Sequence, residues 1–194
     1  MELFLRETRS SPEPLKLLEN RWIQGAFSYQ GVTRSLFSRA KFYSDPRAMN
    51  LLMEYGIARL GVPCERVILL PVPPHKKRLL SRGFSMADRM ALLWSRSWGI
   101  SYSFGGVERK GGPESKRLGR NERLAISSSD RWIFHRNLKK DPVVLVDDLV
   151  TTGWTLKSLA HGLEERGVLV AGAIALCMRE RFQGSLETGV FHEA

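Results

Sequence analysis

Cysteine is scarce: the 194-residue chain has two, Cys64 and Cys177, and they lie far apart. Two isolated thiols supply neither a disulfide framework nor a cysteine zinc site. Long apolar runs are missing as well. The opening MELFLRETRSS has no apolar stretch of signal-peptide length, and no later run approaches the ~20 residues of a membrane span, so the expected location is the cytoplasm. There are no internal repeats or low-complexity tracts. The phosphate-binding patterns Gly-x-x-x-x-Gly-Lys-Ser/Thr and Gly-x-Gly-x-x-Gly are also absent. Acidic residues are outnumbered, 20 against 30 Lys and Arg, which leaves a net charge of +10. That excess suits phosphate esters, pyrophosphate or nucleic acid as partners, with a simple solvated surface as the alternative.

What is present reads as one α/β domain, residues 29–194, behind an N-terminal appendage, residues 1–28. In the appendage Leu15, Leu18 and Trp22 follow a helical spacing after the turn-forming Ser10–Pro14. Helices are predicted over Val32–Phe42, from Pro46 to about Leu60, and along Phe84–Trp94 up to Gly99, each from apolar residues at helical spacing. Val67–Leu70 is a short apolar run ending in prolines, the mark of a buried strand, and Ile100–Phe104 is a weaker strand candidate. Residues Gly105–Asn121 lack apolar periodicity and contain Gly111-Gly112-Pro113, which predicts a long exposed loop. A strand at Val143–Val146, a helix over Thr155–Arg166 capped by Gly167, and a strand at Val168–Leu176 form a βαβ unit. The fold class is therefore an open parallel sheet flanked by helices, with ligands expected beyond the carboxyl ends of its strands.

Two segments leave strands at that edge: Pro71–Arg82 and Asp147–Thr155. The second reads Asp147-Asp148-Leu149-Val150-Thr151-Thr152-Gly153-Trp154-Thr155. It passes from a buried strand to a helix N-terminus, where free N–H groups and the helix dipole favour a phosphate. Gly153 lets an anion approach the backbone, and Thr151, Thr152 and Thr155 add hydroxyl donors. Two carboxylates would repel a phosphate placed on them but accept hydrogen bonds from sugar hydroxyls one ribose away. The pattern describes a ribose 5-phosphate pocket. An Asp-Asp metal site, or a helix capped by Thr152 or Thr155, are the competing readings, although paired buried acids without a partner are costly.

VVLVDDLVTTGWTL resembles the phosphoribosyl pyrophosphate signature of type I phosphoribosyltransferases, and the chain is similar more narrowly to the ComF family of competence-associated proteins. Tyr29-x-Gly31-x-x-Arg34-x-Leu36 with Lys41-Phe42, Leu70–Pro73 with His75, Arg78 and Arg82-Gly83-Phe84, Lys116-x-Leu118, and Glu122-Arg123-Leu124 match that family in order. The resemblance implies a type I phosphoribosyltransferase-like fold with a mobile basic hood over the substrate, carrying Arg109, Lys116, Arg120 and Arg123. It implies Asp147 and Asp148 on the ribose hydroxyls as the catalytic pair, and the 5-phosphate on Thr151–Thr155. A pyrophosphate loop would be formed by Pro73, Pro74, His75, Lys76, Lys77 and Arg78. Mg²⁺ would be held by substrate and water rather than by the protein alone. The four-cysteine module common in that family is missing here, so no zinc is expected.

Three functions stay open from sequence. One is a Mg²⁺-dependent transfer of the phosphoribosyl group of phosphoribosyl pyrophosphate to a nitrogenous acceptor. Another is a module without catalysis, for which the family resemblance implies single-stranded DNA and a competence helicase as partners, with Tyr102, Phe104 and Trp132 as stacking rings among the basic clusters. The third is a regulator that binds a phosphoribosylated nucleotide without turning it over. His75, His135, His161 and His192 are scattered, and none is assigned a catalytic role.

Overall fold

The computed structural model describes residues 15–16, 22–61, 63, 66–110, 131–135 and 141–179. The architecture follows from strands too apolar to face water. β6 (Val143–Val150), β7 (Val170–Met178) and β3 (Ile68–Pro71) are buried almost throughout, as strands covered on both faces must be. They join β2 (Trp22–Ser28) and β1 (Leu15–Lys16) in a five-stranded sheet of order β1-β2-β7-β6-β3. β2, β7, β6 and β3 run parallel, and β1 pairs antiparallel with β2. The expected open parallel sheet flanked by helices is what forms.

Alternation along β6 sorts two cores. Val144 and Val146 pack with α1 (Gly31–Phe42), α2 (Pro46–Arg59) and α4 (Met86–Trp98) on one face. Val143 and Leu145 pack with α5 (Trp154–Glu164) on the other, together with Trp132. α3 (Lys76–Arg82) follows the Pro71–Pro74 run and buries no residue. Helix ends follow local chemistry. Asp45 caps α2 by accepting from the backbone N–H of Arg47 and Ala48, and Ser85 caps α4 by accepting from Asp88.

Three expectations are corrected. The helical spacing of Leu15, Leu18 and Trp22 does not hold, because Leu15–Lys16 and Trp22–Ser28 are strands. Residues 23, 25, 26 and 27 are buried and Trp22–Ser28 pairs with β7 from Trp22↔Gly172 to Ser28↔Met178, so the sheet takes in residues assigned above to the appendage. Ile100–Phe104 makes only a single bridge, Leu69↔Tyr102. Within Gly105–Asn121, β4 (Val107–Arg109) pairs antiparallel with β5 (Trp132–Phe134) as a two-stranded ribbon; residues 111–121 of that loop lie outside the described residues. So do Lys116, Arg120, Arg123, Cys64 and His192.

The β2–β7 seam depends on a missing side chain. The indole of Trp22 lies across Gly172, where a Cβ would meet Trp22 Cε2 at 2.5 Å. A rigid ring cannot swing aside as a flexible chain can. Gly172→Ala is expected to lower stability by about 1–3 kcal/mol, the usual cost of overpacking, read as a lower urea midpoint with an unchanged m-value.

Candidate functional site

β6 stays apolar for four residues and then presents Asp147 and Asp148 before the chain leaves the sheet. Pleating sends consecutive side chains to opposite faces. Asp148 falls in register with Val144 and Val146, on the face covered by α1. There its Oδ1 accepts from Lys41 Nζ at 2.6 Å, an ion pair with little exposure on either side. Lys41 belongs to the buried stripe Thr33, Phe37, Ala40, Lys41 of α1 and lies 5.0 Å from the Phe37 ring centroid. A lysine in the apolar register of a helix is tolerated when its charge is met; Asp148 meets it.

Asp147 is set differently. Its Oδ1 accepts from the backbone N–H of Asp148 at 2.8 Å. Burial, then the neighbouring Asp148 charge, push its carboxyl up to about 7, against the opposing pull of Lys41 and Arg109. The edge therefore carries one carboxylate fixed by an ammonium group and one carboxyl that exchanges its proton near neutrality. Behind them Cys177 of β7 is buried, and burial with the Asp148 charge raises its thiol well above the ordinary range.

Thr151, Thr152 and Gly153 make the turn into α5. Gly153 is the N-cap, in the left-handed region at φ 65°, and no side chain caps the helix. Neither Thr152 nor Thr155 is the cap, which corrects that alternative. Gly153 is buried, while Thr151, Trp154 and Thr155 are half-buried and Thr152 is exposed. Leu149 packs towards the α1 face and Val150 towards the α5 face. The proline loop lies alongside, because β3 pairs with β6 and the Val72 N–H donates to Val146 O at 2.8 Å. Pro73 and Pro74 are half-buried. His75 is buried, and its Nδ1 accepts from the Lys77 N–H at 3.3 Å. Lys76 opens α3, whereas Lys77 and Arg78 line a cleft against the end of α1. Among the described residues no group of three or more His, Cys, Asp or Glu could hold a metal ion.

Of the hood residues, Arg109 is described: its charge reaches Asp147 from β4, and its guanidinium lies 5.6 Å from the Trp132 ring. Trp132 itself is no stacking platform. It is 2% exposed, and its Nε1 donates to Ser158 Oγ at 3.0 Å, so the side chain joins the ribbon to α5. Tyr102 is half-buried, whereas Phe104 is exposed. Lys41 is the site residue that was not assigned from sequence. The signal was its place, four residues after Phe37, on the buried face of an amphipathic helix.

Comparison with models of protein families finds no match. Among curated proteins the chain is 27% identical over 157 residues to competence protein ComFC of Bacillus subtilis (strain 168), covering 80% of this chain and 62% of that protein. The chain thus spans less than two thirds of that relative's length. The resemblance to the ComF family carried by the motifs is borne out by this match. Among solved structures, an adenine phosphoribosyltransferase from Thermoanaerobacter pseudethanolicus aligns with a TM-score of 0.46 and 20% identity, over 77% of this chain and 79% of that one. The adenine phosphoribosyl transferase of Trypanosoma brucei, crystallised with AMP, pyrophosphate and ribose-5-phosphate, aligns at 0.49 and 12%, over 95% and 81%. No helix among the described residues is long and apolar enough to cross a membrane.

Two outcomes are expected. Lys41→Met leaves Asp148 in a half-dry site without its cation and should cost about 3 kcal/mol, while adding Asp148→Leu recovers most of it; urea unfolding of the single and double variants measures both. Asp147 has a folded-state pKa raised from 3.8 to about 7. Its folded form therefore binds more protons than its unfolded form, and its contribution is full below pH 4 and lost as pH rises to 7. Urea midpoints of the wild type against Asp147→Asn should converge at acid pH and separate towards pH 7, with the variant the more stable there.

Proposed function

We propose that this chain is a phosphoribosyltransferase-type domain that binds phosphoribosyl pyrophosphate with Mg²⁺ and transfers its phosphoribosyl group to a nitrogenous acceptor. The observation that carries the reading is the succession at the end of β6: two adjacent carboxyls, one fixed by Lys41, then a hydroxyl-rich turn into α5 through a left-handed glycine. In this reading the ribose hydroxyls donate to Asp148 and Asp147. The 5-phosphate takes the backbone N–H groups that open α5 and the hydroxyls of Thr151, Thr152 and Thr155. The segment from Pro73 to Arg78, beside β6, carries the pyrophosphate.

Mg²⁺ would neutralise charge on the departing pyrophosphate, held by substrate oxygens and water, with the carboxyls as the hard-oxygen donors at hand. The protein's own contribution is electrostatic. The carboxyl pair faces a sugar that gains positive character as its bond to pyrophosphate stretches, and the basic residues face the leaving group. Asp147, with its proton poised near neutrality, accepts from a ribose hydroxyl once it ionises. The hood, with Arg109 at its described base and Lys116, Arg120 and Arg123 further along, closes over the ligand. By likeness to a protein named for competence, the proposed setting is cytoplasmic and linked to DNA uptake.

Calorimetric titration with phosphoribosyl pyrophosphate and Mg²⁺ tests the site. Wild type should bind in the micromolar range, and Asp147→Asn with Asp148→Asn should bind at least about a hundredfold more weakly while keeping its circular dichroism spectrum. Binding retained by the folded double variant would refute the pocket. Salt-sensitive binding of single strands by a protein that ignores phosphoribosyl pyrophosphate would favour the DNA-binding module instead.

A further inference from the structure

Tyr29, Gly31 and Lys41 belong to one motif of the sequence, and the fold joins them around the carboxyl pair. Gly31, at φ 49°, turns the chain from β2 into α1. α1 then sets Phe37 and Lys41 one helical turn apart on its buried face. A helical side chain leans over the turn that precedes it, and the Lys41 Nζ accordingly lies 5.0 Å from the Phe37 ring centroid. Against Phe37 stands Tyr29, its ring centroid 5.4 Å away and its plane at 86°, the edge-to-face arrangement that aromatic pairs prefer. Tyr29 is fixed in turn. Its N–H donates to Met178 O at 2.6 Å, and the Arg179 guanidinium lies 5.7 Å from its ring centroid. The Arg179 N–H donates to Val150 O at 3.1 Å, next to the turn into α5. The contacts run unbroken from the exit of β7, through two rings, to the ammonium group on Asp148.

A lysine is a compact charge on a flexible four-carbon stem, with no plane of its own to orient a partner. Tied only to a carboxylate, it would share several rotamers with it. A ring against the ammonium group removes that freedom, because the cation is attracted to the ring face. Phe37 is itself only 1% exposed and packed in the core. Lys41 takes Oδ1 of Asp148. Among the described residues Oδ2 accepts no hydrogen bond, and the side chain keeps 17% exposure. A carboxylate held by one oxygen presents the other in a set direction. That is the preorganisation a hydrogen bond to a small ligand needs.

We propose that Tyr29 and Phe37 are positioning residues: they brace Lys41, so that one oxygen of Asp148 is bound within the protein and the other is aimed at a sugar hydroxyl. The sugar end of this inference rests on the transferase reading above; the brace does not.

The brace is read without ligand, from the NMR signal of the Lys41 ammonium protons in the full chain. In wild type that signal should be visible and slow to exchange with water, and Asp148→Asn should abolish it. Phe37 is a core residue, so the half-buried Tyr29 carries the test. Tyr29→Leu should speed the exchange about tenfold, whereas Tyr29→Phe, which keeps the ring, should not. The second arm titrates ribose 5-phosphate and, separately, inorganic phosphate. Tyr29→Leu should weaken the sugar phosphate several-fold, up to the about tenfold that one hydrogen bond to a charged group carries, and leave inorganic phosphate unchanged. An ammonium signal that is absent from wild type, or indifferent to Tyr29, would overturn the proposal. So would a Tyr29→Leu protein that binds both ligands more weakly to the same degree, the mark of a merely structural part, or one that binds both as wild type does. A wild type that ignores ribose 5-phosphate while its ammonium signal answers to Tyr29 would count against the transferase reading and leave the brace standing.

Discussion

Two carboxyl groups at the end of a strand buried on both faces have to be compensated from within the fold, and the rest of the site is organised by how that is done. Asp148 turns to the face covered by α1 and is met by Lys41 at 2.6 Å. A part-buried charge pair of this kind repays the loss of hydration only with good geometry, and removing one partner leaves the other stranded. The pair therefore ties α1 to the end of β6. Among the described residues Asp147 has no such partner of its own. It shares the influence of Lys41 and Arg109 and holds its proton to about pH 7. One lysine serves two acids: it pairs directly with Asp148 and only partly offsets the rise of the Asp147 carboxyl.

Much of this was legible because the signals were local and dense. The run from Val143 to Thr155 writes strand, acids, turn and helix in order, and the structure follows it nearly residue for residue. Pro46 opening α2 was equally plain, since it answers to a backbone constraint of one residue; Gly167 was expected to cap α5, but the helix ends earlier, with Glu165 as its C-cap, and Gly167 makes the left-handed step two residues later. The helical spacing of Leu15, Leu18 and Trp22 misled because three apolar residues are too few to fix a period, and the strand Trp22–Ser28 was passed over. What makes it a strand is its pairing with β7, some 150 residues later. Helix α3 was missed for a related reason. It buries nothing, so there is no apolar face to give it a period, and it forms behind the His75 cap. Lys41 lay on the page as a misplaced charge. Finding its partner required knowing that α1 packs over β6, which no spacing within either segment states.

The β4–β5 ribbon was hidden because its strands are three residues each and more than twenty residues apart. Its attachment is specific. Trp132 donates to Ser158 Oγ, the Phe134 ring fills the space left by Gly162, where a Cβ would meet it at 2.8 Å, and Arg166 lies 4.0 Å from that ring while donating to Gly162 O. All of these contacts are to α5 or to the turn just after it. Arg131, beside Trp132, sits 5.7 Å from the ring of Trp154, the first residue of α5. The bulky indole at the start of α5 is thus one more point at which the ribbon is attached to that helix.

Attachment of the ribbon to α5 has an electrostatic consequence for the carboxyl pair. Arg109 opposes the rise of the Asp147 carboxyl only from where β4 is docked, and β4 is docked because β5 packs on α5. The same helix begins at the Thr151–Gly153 turn that follows the two carboxyls. Any event that shifts α5 or the ribbon therefore changes the charge environment of Asp147 along with the geometry of the turn. An anion arriving at the turn adds negative charge near Asp147 and favours its protonated form; a cation arriving with that anion, or a closer approach of Arg109, favours the ionised form. The proton on Asp147 is in this way coupled to what occupies the turn.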